Sequence, residues 1–146
     1  MSIFNSINIS SSGLTAERLR LDTISKNIAN ANTTRTSNGG PYRRQVVVYK
    51  AKEGEGSFAS FLNNAKGNQS GKGVEVVGIR QDTTPFKRVY EPGHPDADEE
   101  GYVLMPNVDI VTEMANMISA SRGYEANVTA MNTTKSMAMK ALELGR

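Results

Sequence analysis

The sequence predicts an α+β protein in which long N- and C-terminal α-helices, built like coiled-coil arms, flank a small, mainly β central insert. Two observations predict the helices and a third the insert. Apolar residues recur at helical spacing at the start of the chain and again at its end. Between them, short runs alternate with the two-residue period of strands and are punctuated by Gly, Pro, Asn and Asp. The segment boundaries fall at residues 1–35, 36–106 and 107–146.

The first helix is expected over Ile3 to Ala31, because Ile3, Ile7, Leu14, Leu21, Ile24, Ile28 and Ala31 fall nearly all on heptad positions a and d. Ser10, Ser11, Ser12 and Gly13 weaken its first half, a helix-interior glycine costing about 1 kcal/mol relative to alanine. Asn27, Asn30 and Asn32, with Ser25 and Thr33, are unexpected in a plain core helix, since Asn forms helix poorly and has local hydrogen-bonding alternatives. Two readings stand open. The amides satisfy backbone groups where the helix stops, or they bond to an adjacent subunit.

The insert begins with the polar, turn-rich stretch Asn32 to Pro41. Strands are expected over Tyr42 to Ala51, Gly73 to Gln81, Thr84 to Glu91 and Gly101 to Met105. Gly54 to Gly73 reads as a Gly, Ser and Asn-rich excursion with a helical turn at Phe58 to Leu62, and Pro92 to Glu100 as an acidic turn. The second helix is expected from Asn107 to Leu144, with Ile110, Met114, Met117, Tyr124, Val128, Met131, Ala138 and Leu142 on one stripe and Ile118 and Met137 widening it. Gly123 interrupts it, either to let another helix approach closely or to soften the helix there.

At about 1.5 Å per residue the arms run about 45 and 55 Å, more rod than a small domain needs. Their Ile, Leu, Met and Ala stripes are slender, and helix stability comes mostly from packing, so assembly with other chains is expected to complete the fold.

Composition removes several function classes. Seventeen Lys+Arg against fifteen Asp+Glu leave a formal charge of +2, too small to build the field that nucleic-acid binding needs. The absence of Cys removes disulfides, thiolate metal ligation and a Cys nucleophile. Gly67 to Gly73 has a phosphate-loop look but lacks the spacing, the Ser or Thr after Lys72 and the following helix of a Walker motif. Asp96, Asp98, Glu99 and Glu100 lack the alternation and the terminal bidentate Glu of a calcium loop. His94, the single histidine, sits between Gly93 and Pro95 without a second ligand or base partner. No catalytic residue, cofactor or metal is expected, nor direct membrane insertion. Met1 to Ala16 carries no basic leader or apolar run of the signal-peptide kind, so an exported chain of this sort is expected to travel without a cleaved signal.

The stretch Gly13-Leu14-Thr15-Ala16-Glu17-Arg18-Leu19, followed by Ile24-Ser25-Lys26-Asn27-Ile28-Ala29-Asn30-Ala31-Asn32-Thr33, resembles the N-terminal signature of the flagellar rod and hook axial proteins. Val89 to Pro95, Gly101-Tyr102-Val103 and Pro106-Asn107-Val108 resemble the proximal-rod members of that family. The run from Glu113 through Met117 to Arg122, Tyr124 and Asn127, ending in Lys140-Ala141-Leu142, is similar as well. The resemblance covers nearly the whole chain. It implies a structural subunit of the rod, exported by the flagellar type III apparatus and polymerising through its terminal helices. The partners implied are copies of itself and FlgB-, FlgF-, FlgG- and FliE-like subunits.

A seam is then expected between Ile7, Leu14, Leu21, Ile24 and Ile28 on one arm and Met117, Tyr124, Val128 and Met131 on the other. Asn27, Asn30, Asn32, Met114 and Ile118 join them as expected subunit-interface residues. The alternatives are another rod subunit of the FlgB-like kind, a secreted coiled-coil adaptor, or a binding module with a ligand in its insert.

Overall fold

The computed structural model describes residues 3–37, 39–52 and 72–145. Helix α1 spans Ile3–Ala29, strands β1 and β2 span Gln45–Ala51 and Val74–Gln81, β3 and β4 span Lys87–Tyr90 and Tyr102–Met105, and helix α2 spans Ile110–Leu144. β1 pairs with β2 and β3 with β4, each pair a separate two-stranded sheet. Long terminal helices around a small set of short antiparallel strands make the α+β class the sequence predicts. The Gly54 to Gly73 excursion and its helical turn fall almost wholly outside the described residues.

Element ends differ from the expected ones by a few residues, each for a local reason. α1 stops at Ala29 because the Asn30 side-chain amide donates to the Lys26 carbonyl at 2.9 Å and Ala31 N–H tightens onto Ile28 O at 3.2 Å. α2 starts at Ile110 because Asp109 is its N-cap. The Asp109 carbonyl accepts from Glu113 N–H at 2.9 Å, and its carboxylate accepts from the Thr112 hydroxyl at 2.6 Å. β1 starts at Gln45 because Tyr42 N–H is bonded to Thr33 O and Arg44 N–H to the Asn107 side chain.

By its internal contacts the chain forms two compact units. The first comprises Met1–Arg18, Tyr49–Val77 and Ser121–Arg146. Here α1 and α2 run antiparallel and meet at two glycines. A Cβ on Gly13 would lie 2.9 Å from Asn127 Oδ1, and one on Gly123 would lie 3.3 Å from Glu17 Cδ. Each glycine thus makes room for a polar side chain of the other helix, which gives Gly123 its close-approach role. Ser12 Oγ donates to Ile9 O at 2.7 Å and accepts from Val74 N–H at 3.1 Å, fixing the start of β2 to α1.

The second unit comprises Leu19–Val48 and Gly78–Ala120. Its apolar core is Ile24, Ala31, Val47, Val103, Val108 and Ala120, with Thr23, Asn27, Pro106 and Glu113 buried among them. β3 and β4 are antiparallel, Arg88 opposite Leu104 and Tyr90 opposite Tyr102. The two tyrosine rings meet edge-on at 5.3 Å, and the Arg88 guanidinium lies 4.8 Å over the Tyr102 ring. Gly101 has φ +83°, which L side chains rarely adopt, and a Cβ there would lie 2.9 Å from the Tyr90 ring.

Candidate functional site

Four segments far apart in sequence converge in the second unit on a buried polar cluster. Asn27 comes from the last turns of α1, Tyr42 to Gln45 from the entry to β1, Asp82 and Thr84 from the exit of β2, and Asn107 and Glu113 from the approach to α2 and its first turn. Asn27 is 1% exposed and Glu113 0%.

The Asn27 amide is saturated. Its Oδ1 accepts from Gln45 N–H at 2.9 Å and from the Tyr42 hydroxyl at 3.0 Å. Its Nδ2 donates to Gln45 O at 2.8 Å and to Glu113 Oε2 at 2.9 Å. Those are the two donors and two acceptor sites a carboxamide has. Asn27 thereby serves as a backbone partner for Gln45, holding the start of β1 against the end of α1.

The other Glu113 oxygen accepts from Arg44 Nε at 2.9 Å and from its terminal nitrogen at 2.6 Å. Arg44 also reaches Asp82 Oδ2 at 3.2 Å. Asn107 completes the ring, accepting from Arg44 N–H at 2.8 Å and donating to Thr84 Oγ1 at 2.8 Å. Burial, and after it the Glu113 charge, push the Tyr42 phenol above its ordinary 10.0, so it stays protonated as the donor Asn27 needs. The Thr84 backbone N–H, then its hydroxyl, and Arg44 beyond them hold the Asp82 carboxyl below the ordinary 3.8. Every polar group named in the cluster is engaged with another, so the arrangement is a tie between segments and has no reactive atom aimed at a substrate.

Elsewhere in this unit a cleft of about 400 Å³ is lined by Thr34, Arg35, Pro41, Asp96, Asp98 and Leu104. Its charged groups are engaged, Thr34 Oγ1 donating to Asp96 at 2.8 Å, Arg35 lying 3.9 Å from Asp96, and Asp98 pairing with Arg88 at 3.4 Å. His94 accepts through Nδ1 from Asp96 N–H at 3.1 Å, and Asp98 Oδ1 accepts from Tyr102 N–H at 2.8 Å, so both shape the acidic turn. Among the described residues no group of three His, Asp or Glu could hold a metal ion, and no helix is long and apolar enough to cross a membrane.

Of the residues expected at subunit contacts, Ile24 and Asn27 are buried, while Ile7, Leu14, Leu21, Ile28, Asn30, Met117, Val128 and Met131 are half-buried. Asn32, Met114, Ile118 and Tyr124 are exposed. In the second unit Val111, Met114 and Ile118 are 75%, 55% and 55% exposed, an apolar row on the outer side of α2. Of the asparagines, Asn27 and Asn30 bond to backbone groups within the chain, and Asn32 is exposed. Sequence reasoning passed over Glu113, Arg44, Tyr42, Asp82 and Asn107. The available signal was Glu113 itself, a lone acid spaced at three and four residues from Ile110 and Met117 on an apolar stripe, which demands a buried partner.

Comparison with known proteins agrees along the whole chain. Residues 7–35 match the family model described as flagella basal body rod protein, and residues 99–144 match that of the flagellar basal body rod FlgEFG protein C-terminal region. Three similar relatives are each named flagellar basal-body rod protein FlgC. That of Bacillus subtilis is 52% identical over 100% of both chains. That of Borreliella burgdorferi is 48% identical over 99% of this chain and 98% of its own. That of Escherichia coli O6:H1 is 44% identical over 100% of both.

Proposed function

Since the chain belongs to the flagellar basal-body rod proteins, a family of structural and non-enzymatic subunits, we propose that it is built into the proximal rod by packing its terminal helices against neighbouring axial subunits. The observation that carries this reading is the apolar row Val111, Met114 and Ile118, exposed on the single chain although such side chains favour burial. Burying side chains of this size contributes about 1.5–3 kcal/mol each, so repeated contacts of this kind give a torque-bearing tube its rigidity. Contacts that repeat without closing into a ring generate a helical assembly, and no chemistry is required.

The neighbours are copies of this chain and FlgB-, FlgF-, FlgG- and FliE-like subunits, met through Ile7, Leu14, Leu21, Ile28, Met117, Tyr124, Val128 and Met131 along the arms and through Met114 and Ile118 on the outer row, while the buried Ile24 packs within the chain. Delivery is through the flagellar type III apparatus, a route that the absence of cysteine suits because a threaded chain then forms no cross-links. The test is Ile118→Asp. The side chain is exposed, so the purified variant keeps wild-type helicity and thermal midpoint, yet cells carrying it build no rods and do not swim. Leu21→Asp gives the same motility loss. Motile cells with normal rods from Ile118→Asp overturn the assignment of the outer row.

A further inference from the structure

We propose that the buried Asn27–Glu113–Arg44 cluster is a register lock: its directional bonds fix the rotation of the first turns of α2, and so determine which side chains that helix turns outward. Glu113 and Ala120, both 0% exposed, are seven residues apart and share one helical face. At about 100° per residue, Val111, Met114 and Ile118 fall well round the helix from Glu113, at about 160°, 100° and 140°. A rotation of α2 by a single residue would withdraw Glu113 from Asn27 and Arg44 and turn part of the outer row inward.

Apolar contact alone would not prevent that rotation. The residues that follow Glu113 on the inward side of α2 are Met117, half-buried, and Ala120, buried. Met fills irregular gaps adaptably and Ala presents little shape, so the packing tolerates a slip. Hydrogen bonds do not. Glu113 is held by three of them, from Asn27 on one oxygen and from two nitrogens of Arg44 on the other. Removing one member of a buried charge pair leaves the other uncompensated, whereas replacing both with apolar side chains of similar volume is often neutral for stability. What the apolar replacement lacks is direction.

The lock is tested on the isolated full-length chain, so the result does not depend on rod incorporation. Arg44→Met and Glu113→Leu are made singly and together, with Glu113→Gln as the shape-preserving variant. Each of the two apolar single variants lowers the thermal midpoint by about 10 °C or more, and the double variant returns to within about 5 °C of wild type. In the double variant the backbone amides of Val111 to Ala120 give more than one set of NMR resonances, and the Asn27 side-chain amide loses its hydrogen-exchange protection. Glu113→Gln, whose amide oxygen still accepts both Arg44 bonds although its NH2 cannot accept from Asn27, keeps one set. A double variant as unstable as the singles overturns the proposal by making the cluster a stability element. A stable double variant with one wild-type-like set of resonances, or a doubled set in Glu113→Gln, overturns it as well.

Discussion

Asn127 occupies the space that Gly13 leaves empty: a Cβ on the glycine would meet the Asn127 carboxamide at 2.9 Å from Oδ1 and 3.0 Å from Nδ2. The carboxamide is not free to move aside without loss, because Nδ2 donates to the Gly123 carbonyl at 2.9 Å. An alanine in an open helix interior gains about 1 kcal/mol over glycine. Here overlap outweighs that gain, so Gly13→Ala lowers stability in the native background and raises it in an Asn127→Ala background. Urea denaturation of the four proteins of this cycle should give a coupling of about 1–2 kcal/mol, within the range for residues in contact.

Asn27 and Asn30 belong to one short motif and have different worth. Asn27→Ala strips bonds from Gln45 N–H and O, the Tyr42 hydroxyl and Glu113, the last fully buried and the others partly so. At about 1–3 kcal/mol for each buried group left unbonded, a total loss of about 3 kcal/mol is expected. Asn30→Ala removes an exposed bond to Lys26 O and a 3.2 Å bond from the Thr33 hydroxyl, and costs about 1 kcal/mol. Equal urea midpoints for the two variants would contradict the geometry.

Acid should weaken the fold through two aspartates. Hydrogen bonds from Thr84 hold Asp82 below the ordinary 3.8, and the Thr112 hydroxyl bond does the same for Asp109, with Lys87 and the Thr112 and Val111 amides adding to it. A carboxyl depressed in the folded chain contributes stability that is fully present above the unfolded value and is lost as pH falls through the folded value. The urea midpoint is therefore expected to drop below pH 3.8, and an Asp82→Asn, Asp109→Asn chain should show a shallower drop. Asn also caps helices well, so Asp109→Asn removes the charge while leaving the cap in place.

Gly101→Ala forces an L side chain to φ +83° and into the Tyr90 ring. Strain of this kind costs about 1–3 kcal/mol. Loss of the near-ultraviolet circular dichroism of the Tyr90–Tyr102 pair, with a lower urea midpoint, is the expected result.

What the sequence made legible follows from where each signal comes from. The arms and strands appear because apolar periodicity is local, and a face such as Ile24 and Ile28 identifies itself within a few turns. The acidic turn from Pro92 to Glu100 is a local signal too. The buried cluster is not, since it depends on which of many polar residues are brought together by pairings across tens of positions, and Arg44 reads beside Arg43 as one more strand-flanking cation. In the structure Arg43 lies 4.2 Å over the Phe86 ring while its neighbour bonds to Glu113, a division no periodicity encodes. The helix ends differ for another reason: Asn30 and Asp109 stop and start helices through single local side-chain bonds that outweigh a continuing apolar pattern.

The bond from Asn27 to Glu113 spans 86 positions of sequence. A chain that emerges N-terminus first, from a ribosome or any narrow conduit, therefore presents its opening helix long before the carboxylate that fastens it has arrived. Until then Asn27 has neither Glu113 nor a settled β1 to hold. Non-local closure of this sort is slow, because the intervening loop must be ordered before any contact compensates for it. The molecule carries its own delay: the early part stays unfastened and pliable, and fastening waits for the late part to come into reach.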